Sequence, residues 1–430
     1  MAGEKRRFGF ETRMLHAGYI PDPLTGARAV PIYQTTSYVF EDPDKAAQLF
    51  ELKQYGNIYS RINNPTVAAF EERIASLENA TGAVATASGM AAQLNVMMTL
   101  LEPGDEIVTS SHLYGGTTTQ FVHTFRKLGL KAHFVDPTNF DEWAAAITPK
   151  TRLLYGESIG NPRGSVLDIQ SLVDLAHAHN IPLVVDSTFA TPYLCRPMDW
   201  GADVVVHSAT KFIGGHGNSI AGVLLDSGKF DYSRFPTIAD PDPAYHDLRF
   251  YETFGHYGFL MKSRAVTLRD TGGALSPFNA FLLIQGLETL SVRMDRHVQN
   301  AQAVAEFLRA HPKVAWVAYA GLPDNPYHAL AQKYMPKGPG AIFTFGIKAS
   351  NARLAGKEFI ESLHLFSHLA NVGDARSLVI HPASTTHQQL SESELEQAGI
   401  DGGMIRLSIG LETTEDLLWD LDQALQATSA

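Results

Sequence analysis

The stretch Val204-Val205-Val206-His207-Ser208-Ala209-Thr210-Lys211-Phe212-Ile213-Gly214-Gly215-His216-Gly217 runs from apolar residues onto a lysine and then breaks into glycines. The run Asp203 to Val206 is short and β-branched and follows Gly201-Ala202, which suits a strand covered on both faces. Lys211 therefore sits just past a strand end. An amine there, beside glycine-rich backbone that other groups can approach closely, suits a Schiff base with a carbonyl cofactor.

Ser208 and Thr210 flank that lysine with hydroxyls able to donate to a phosphate while the amine engages an aldehyde, a pairing that points to pyridoxal phosphate. An ordinary surface loop is the competing reading of so short a motif. The chain around it decides between them.

With 430 residues, 45% of them hydrophobic, the chain can bury a large core. A formal net charge of -11 argues against a nucleic-acid or anionic-membrane surface, and no apolar run approaches spanning length. Cys195 is the only cysteine, so neither an intrachain disulfide nor a thiolate metal site can form, and a cytoplasmic protein is expected.

In chain order, the first sixty residues carry weak periodicity and turn formers such as Pro21-Asp22-Pro23, which reads as an extended arm. The arm ends at Tyr59-Ser60-Arg61, an aromatic hydroxyl and a guanidinium two apart that suit a phosphate clamp or a plain loop, before a helix starting near Pro65.

Ala83 to Ala87 reads as a small-residue strand turning through Ser88-Gly89-Met90 into a helix that runs to about Leu101. Free amides and the positive end of the helix dipole make that turn a ready anion site. Strands are then expected over Glu106 to Ser110, Lys131 to Asp136, Arg152 to Glu157 and Pro182 to Asp186, with helices after Thr117, around Trp143 and from Asp168 to His179. This alternation predicts an α/β domain with a mostly parallel sheet and a ligand site at the carboxyl ends of its strands.

The candidate residues fall at those ends. Asp186 is placed to pair with a protonated pyridine nitrogen, or to hold a metal or ribose. Tyr114 suits stacking on a planar ring or a core position, and Asn161 in Glu157-Ser158-Ile159-Gly160-Asn161-Pro162 can hydrogen-bond a ring oxygen.

Leu282 to Leu308 reads as one long amphipathic helix, followed by a smaller α+β part with strands over Val314 to Tyr319, Ala341 to Ile347, Ser377 to His381 and Met404 to Ile409. The expected division is an arm over 1–64, a cofactor-binding α/β domain over 65–280, and a linker helix with a C-terminal α+β domain over 281–430. Arg406 sits on an apolar strand, where it needs an anion such as a substrate carboxylate or a structural carboxylate partner. His364 and His368, with His216, His381 and His387 scattered elsewhere, form no metal-ligand spacing.

Taken as an ordered set, Ser88-Gly89-Met90, Tyr114, Glu157-Ser158 with Asn161-Pro162, Asp186, Ser208-Ala209-Thr210-Lys211 and Arg406 resemble the Cys/Met-metabolism family of pyridoxal-phosphate enzymes across nearly the whole chain. The resemblance implies the fold-type I transferase fold, with Lys211 as the Schiff-base lysine, Asp186 at the pyridine nitrogen and Tyr114 on the ring face, assisting as acid or base. It also implies that Ser88, Gly89, Met90, Ser208 and Thr210 hold the phosphate, that Tyr59 and Arg61 reach that of a neighbouring subunit, and that Arg406, Ser377 and Asn161 bind the substrate carboxylate.

Within the family, the run from Gly373 to His387 and the segment Asp324-Asn325-Pro326-Tyr327-His328 are most similar to the O-acetylhomoserine sulfhydrylases. That implies O-acetyl-L-homoserine with sulfide or a thiol as substrates, homocysteine and acetate as products, and a homotetramer with sites shared between paired subunits. The alternatives are a methionine or cystathionine γ-lyase and a cystathionine γ-synthase-like transferase. Gly116 stands where methionine γ-lyases typically carry a cysteine, and Arg376 where cystathionine enzymes usually carry a glutamate.

Overall fold

A computed structural model describes residues 6–162, 164–382, 385 and 402–429. The stretch Val204–His207 (β6) is a fully buried strand inside a seven-stranded sheet. The other strands are Gly82–Thr86 (β1), Glu106–Ser110 (β2), Lys131–Val135 (β3), Thr151–Glu157 (β4), Leu183–Asp186 (β5) and Gly222–Asp226 (β7), in the order β1-β7-β6-β5-β4-β2-β3. The neighbouring pairs from β3 to β6 are parallel, and β7 runs antiparallel to both β6 and β1.

The sequence reading had no β7. Its Gly222 explains the close approach that the strand requires: a Cβ there would lie 2.1 Å from the Ser88 carbonyl oxygen. The strand thus backs directly onto the Ser88 turn.

Pro65–Glu78 is a helix because Asn64 caps it, its side chain accepting from the amides of Thr66 (3.0 Å) and Val67 (3.4 Å), while Pro65 fits the first turn. It ends at Asn79, which takes the left-handed conformation with φ 60°. Gly115 opens a helix two residues earlier than expected, with Tyr114 at its N-cap.

The expected helix over 282–308 is two helices, Pro277–Glu288 and Leu290–Ala310, broken at Thr289 (φ −121°, ψ 10°). The break has a local cause: the Gly286 carbonyl, which a continuous helix would give to an amide one turn on, accepts from the Arg293 guanidinium at 2.7 Å. Leu283, Leu287, Leu290 and Met294 are fully buried across the break, each contributing roughly 1.5–3 kcal/mol of burial.

A second sheet, in the order β10-β11-β12-β9-β8, comprises Val314–Ala318 (β8), Ile342–Ile347 (β9), Ser367–His368 (β10), Leu378–Ile380 (β11) and Met404–Ser408 (β12). It is antiparallel except for the short β10–β11 pair, of which the sequence reading expected β11 and not β10. One apolar cluster runs through Val205 of the first sheet, Leu283, and Phe343 and Leu407 of the second.

The arm is not wholly extended. Phe10–His16 and Pro43–Phe50 are helical, and Phe10 and Met14 are buried in the same cluster, with the Phe10 ring 5.3 Å from that of Tyr193. Ala383, Ser384, Thr386 and His387 of the resemblance motif lie outside the described residues. Among the described residues no helix is long and apolar enough to cross a membrane.

At the far end of β7, Asp226 is buried, its Oδ1 accepting from the Tyr232 hydroxyl at 3.2 Å while Oδ2 has no hydrogen-bond partner among the described residues. Burial pushes its carboxyl up to about 7. A carboxyl raised on folding stabilises the protein while it stays protonated, and that contribution is lost as pH rises through the folded value. Thermal unfolding at about pH 5 and about pH 8 should therefore show a larger loss of Tm on raising the pH for the wild type than for Asp226→Asn. Equal losses would contradict this assignment.

Candidate active site

The carboxyl ends of the parallel strands open onto one cavity, lined by Ser88, Gly89 and Met90 after β1, Tyr114 after β2, Asn161 after β4, Asp186 ending β5 and Ser208, Thr210 and Lys211 after β6. Arg406 reaches it from β12, and Asn371 from the loop before β11. Strand direction explains the convergence, since parallel strands end together.

Ser88 caps the Gly89–Leu100 helix, its hydroxyl accepting from the Ala91 amide at 3.1 Å, which leaves the leading amides pointing into the cavity mouth. A Cβ on Gly89 would lie 2.6 Å from that of Ser208, so this turn and the lysine turn close on each other only with glycine there. Asp186 Oδ1 accepts from the Thr188 amide at 2.9 Å, and the Thr188 hydroxyl in turn accepts from the Ser208 amide at 2.8 Å. Asp186 is thereby tied to the turn that carries Lys211.

The Lys211 amine donates to Asn371 Oδ1. Burial first, and the Arg406 charge second, hold that amine below the usual lysine range. Arg406 donates to Asn161 Oδ1 at 3.3 Å, has no carboxylate partner among the described residues, and is itself pulled down by burial. Burial raises the Asp186 carboxyl, with the Thr188 hydrogen bonds opposing.

Tyr114 leaves 52% of its surface exposed toward the cavity, while its amide donates to Glu157 Oε1 at 2.6 Å. Burial, with the charge of Asp186 adding to it, pushes the Glu157 carboxyl well above the usual range. A Cβ on Gly116 would press on the Tyr114 ring at 2.4 Å, so the glycine leaves that ring free to lie as it does.

Three expected residues stand apart from the cavity. The buried Ser377 hydroxyl donates to Glu412 Oε2 at 2.9 Å and accepts from the Gly410 amide at 2.8 Å. Tyr59 and Arg61 lie outside this chain's own cavity, the guanidinium sitting 5.3 Å from the Tyr59 ring centroid and donating to the Arg269 carbonyl. Thr210 lines the cavity, yet its hydroxyl bridges both backbone groups of Ala221, at 2.9 and 3.1 Å.

Sequence reasoning missed Asn371, Gln93 and Thr117. Gln93 links the site to the core, accepting from the Tyr155 hydroxyl at 2.9 Å and from Thr117 at 3.3 Å. The position of Asn371 just ahead of Gly373-Asp374 marks a loop, but nothing local aims its amide at Lys211. Arg376, unassigned from sequence, pairs with Asp374 at 2.9 Å and donates to the His216 carbonyl at 3.2 Å. Among the described residues no group of three or more His, Cys, Asp or Glu is disposed to hold a metal ion.

Comparison with known proteins matches residues 11–426 to the family described as Cys/Met metabolism PLP-dependent enzyme. The chain is 50% identical to O-acetyl-L-homoserine sulfhydrylase of Leptospira meyeri, covering 98% of this chain and 97% of that protein. It is 51% identical to O-acetyl-L-homoserine sulfhydrylase 1 of Thermus thermophilus (97% and 99% covered), and 50% identical to homocysteine synthase of Schizosaccharomyces pombe (97% and 98%). A crystal structure from Campylobacter jejuni that contains N'-pyridoxyl-lysine-5'-monophosphate superposes with a TM-score of 0.94 at 40% identity, covering 97% of this chain and 100% of that one.

The elevated Glu157 carboxyl makes a neutral isostere the natural substitute. Glu157→Gln should keep the acceptor for the Tyr114 amide and hold Tm close to wild type, whereas Glu157→Ala should cost about 1–3 kcal/mol through the unpaired buried amide. Denaturant unfolding of the two variants compares them, and equal destabilisation would contradict the role of the Glu157 side chain as acceptor for the Tyr114 amide.

Proposed function

We infer the reaction of this chain from one premise: it belongs to the Cys/Met metabolism PLP-dependent enzyme family. It is a pyridoxal-phosphate enzyme that replaces the acetyl group of O-acetyl-L-homoserine with sulfide, giving L-homocysteine and acetate. The observation that carries this reading is a single cavity containing a lysine amine held below its usual range and an arginine without a carboxylate partner among the described residues, in a chain half-identical to sulfhydrylases over nearly its full length.

The residues fit the cofactor. The Ser88-Gly89-Met90 turn and Ser208 form an anion cradle that a Cβ on Gly89 would fill, and would hold the phosphate, with Thr210 joining once its hydroxyl turns from Ala221. The raised carboxyl of Asp186 calls for a cationic partner, which a protonated pyridine nitrogen supplies. Lys211 would be the attachment residue, and Tyr114 and Asn161, which line the same cavity, would meet the ring.

When bound, the cofactor supplies an electron sink that stabilises negative charge at the substrate α-carbon, and so permits acetate to leave the γ-carbon and sulfide to add there. Arg406, steadied by Asn161, binds the α-carboxylate and fixes which bond faces Lys211. The Lys211 amine, held below the usual lysine range by burial and the Arg406 charge, takes the α-proton and returns it at the end of the cycle. Asn371 holds that amine in place through its side-chain oxygen. Tyr114 covers the ring and is the nearby group able to assist as acid or base.

We further propose that Tyr59 and Arg61 complete the phosphate cradle of a neighbouring subunit, within a homotetramer whose paired subunits share sites. Their position outside this chain's own cavity, on the arm, supports that reading. Ser377 enters as a buried support of the Arg406 sheet, its hydroxyl being committed to Glu412.

The test is product analysis of the purified protein with O-acetylhomoserine, with and without sulfide. Sulfide-dependent homocysteine with little 2-oxobutyrate is expected; sulfide-independent 2-oxobutyrate and ammonia would make it a γ-lyase. Lys211→Ala should lose multiple turnover together with the visible absorbance of the bound cofactor. Asn371→Ala should lower kcat by about tenfold with little change in KM, because it acts on the proton-carrying amine and not on carboxylate binding; a KM effect alone would contradict that role.

A further inference from the structure

Lys211 sits in a single helical turn stapled by its own backbone, the Lys211 amide donating to the Ser208 carbonyl at 3.2 Å and the Gly215 amide to the Lys211 carbonyl at 2.7 Å. Such a turn leaves its last carbonyls without intrahelical partners. Here Arg293, on the second of the two broken helices, takes them: Nη1 donates to the Phe212 carbonyl at 2.8 Å and Nη2 to that of Ile213 at 3.2 Å. The same guanidinium donates to the Gly286 carbonyl at 2.7 Å and to the Thr289 hydroxyl at 3.2 Å.

Arg293 is buried, with only 6% of its surface exposed, and no carboxylate pairs with it among the described residues. A lone buried guanidinium is costly, and burial alone brings it down to about 10. A residue in that position is satisfied only by oxygens arranged for it, and two of its four are the carbonyls immediately after Lys211.

The surroundings are built to the same fit. Gly215 has φ +72°, and a Cβ there would lie 2.2 Å from Arg293 Nη1; a Cβ on Gly286 would lie 2.4 Å from the Ile213 carbonyl oxygen. One helical turn beyond Arg293, the ring of His297 packs edge-on against Phe212 with centroids 5.0 Å apart, and its Nδ1 is 2.7 Å from the Ile409 carbonyl. Ile409 directly follows β12, which carries Arg406. Arg293 and His297 therefore join the lysine turn on one side to the arginine strand on the other.

We propose that Arg293 is a positioning residue, which fixes the turn carrying Lys211 so that its amine meets the α-carbon of a substrate held by Arg406. The proposal rests on the reading of Lys211 as the cofactor lysine. Lysine at 293 keeps the charge but loses the planar fork, and so can hold only part of the carbonyl set. Misplacement of a catalytic group by about 1 Å is enough to cost about 100-fold in rate.

The experiment compares holoenzyme of the wild type and Arg293→Lys for Tm, cofactor content, visible circular dichroism of the bound cofactor, kcat and KM for O-acetylhomoserine. The variant should bind a full complement of cofactor, lose about 10- to 100-fold in kcat with KM changed less than about threefold, and show an altered visible dichroism. Wild-type kcat within about twofold and an unaltered dichroic band would overturn the proposal. Should Arg293→Lys fail to fold, Gly215→Ala disturbs the guanidinium from the loop side and is expected to show the same split; an unchanged kcat there would equally overturn it. Borohydride reduction and peptide mapping of the wild type test the underlying reading separately, since a label away from Lys211 removes the premise whatever the Arg293 result.

Discussion

An ammonium buried beside a guanidinium is the constraint on which the rest of this structure depends. Lys211 and Arg406 face one cavity, and both burial and mutual repulsion work against the charged amine. Two cations are gathered there in a chain whose formal net charge is -11. Among the described residues neither forms a salt bridge: the nearby Glu157 is pushed well above the usual carboxylate range and binds the Tyr114 amide, while Asp186 is tied to Thr188. The counter-charges the cavity calls for are those of its ligands, a phosphate and a carboxylate.

Backbone proximity makes this arrangement possible. Gly89 and Gly222 admit the Ser88 turn against the lysine turn and β7 respectively, where any side chain would collide. The broken helix after Pro277 lets Arg293 turn back onto the carbonyls beyond Lys211, so the same guanidinium bonds both the helix break and the turn that carries Lys211. Packing of the second sheet then sets the distance between lysine and arginine through a continuous apolar cluster.

Much of this was legible in the sequence, for local reasons. The short apolar runs ending at Ser110, Glu157, Asp186 and His207 announce buried parallel strands, and parallel strands bring their termini to one edge, so Tyr114, Asn161, Asp186 and Lys211 could be placed together from the chain alone. Arg406 stood out because a guanidinium on an apolar strand demands an anion. What escaped was set by tertiary contact. Thr289 breaks a helix whose apolar spacing continues unbroken, because the cause is a guanidinium from the next turn. Asn371 lies 160 residues from the amine it binds, and the Ser377 hydroxyl is held by Glu412, 35 residues away. Tyr59 and Arg61 lie outside the cavity of a single chain, so no contact within this chain could have assigned them to it.

The claim at the centre of this account is that burial and the Arg406 charge together depress the Lys211 amine. Isotope-edited NMR titration of selectively labelled lysines in the cofactor-free protein measures it directly, with Lys211→Arg assigning the resonance. The account predicts that the Lys211 amine titrates below the ordinary lysine range and moves back toward it in Arg406→Met. An ordinary lysine titration in the wild type, indifferent to Arg406, would contradict it.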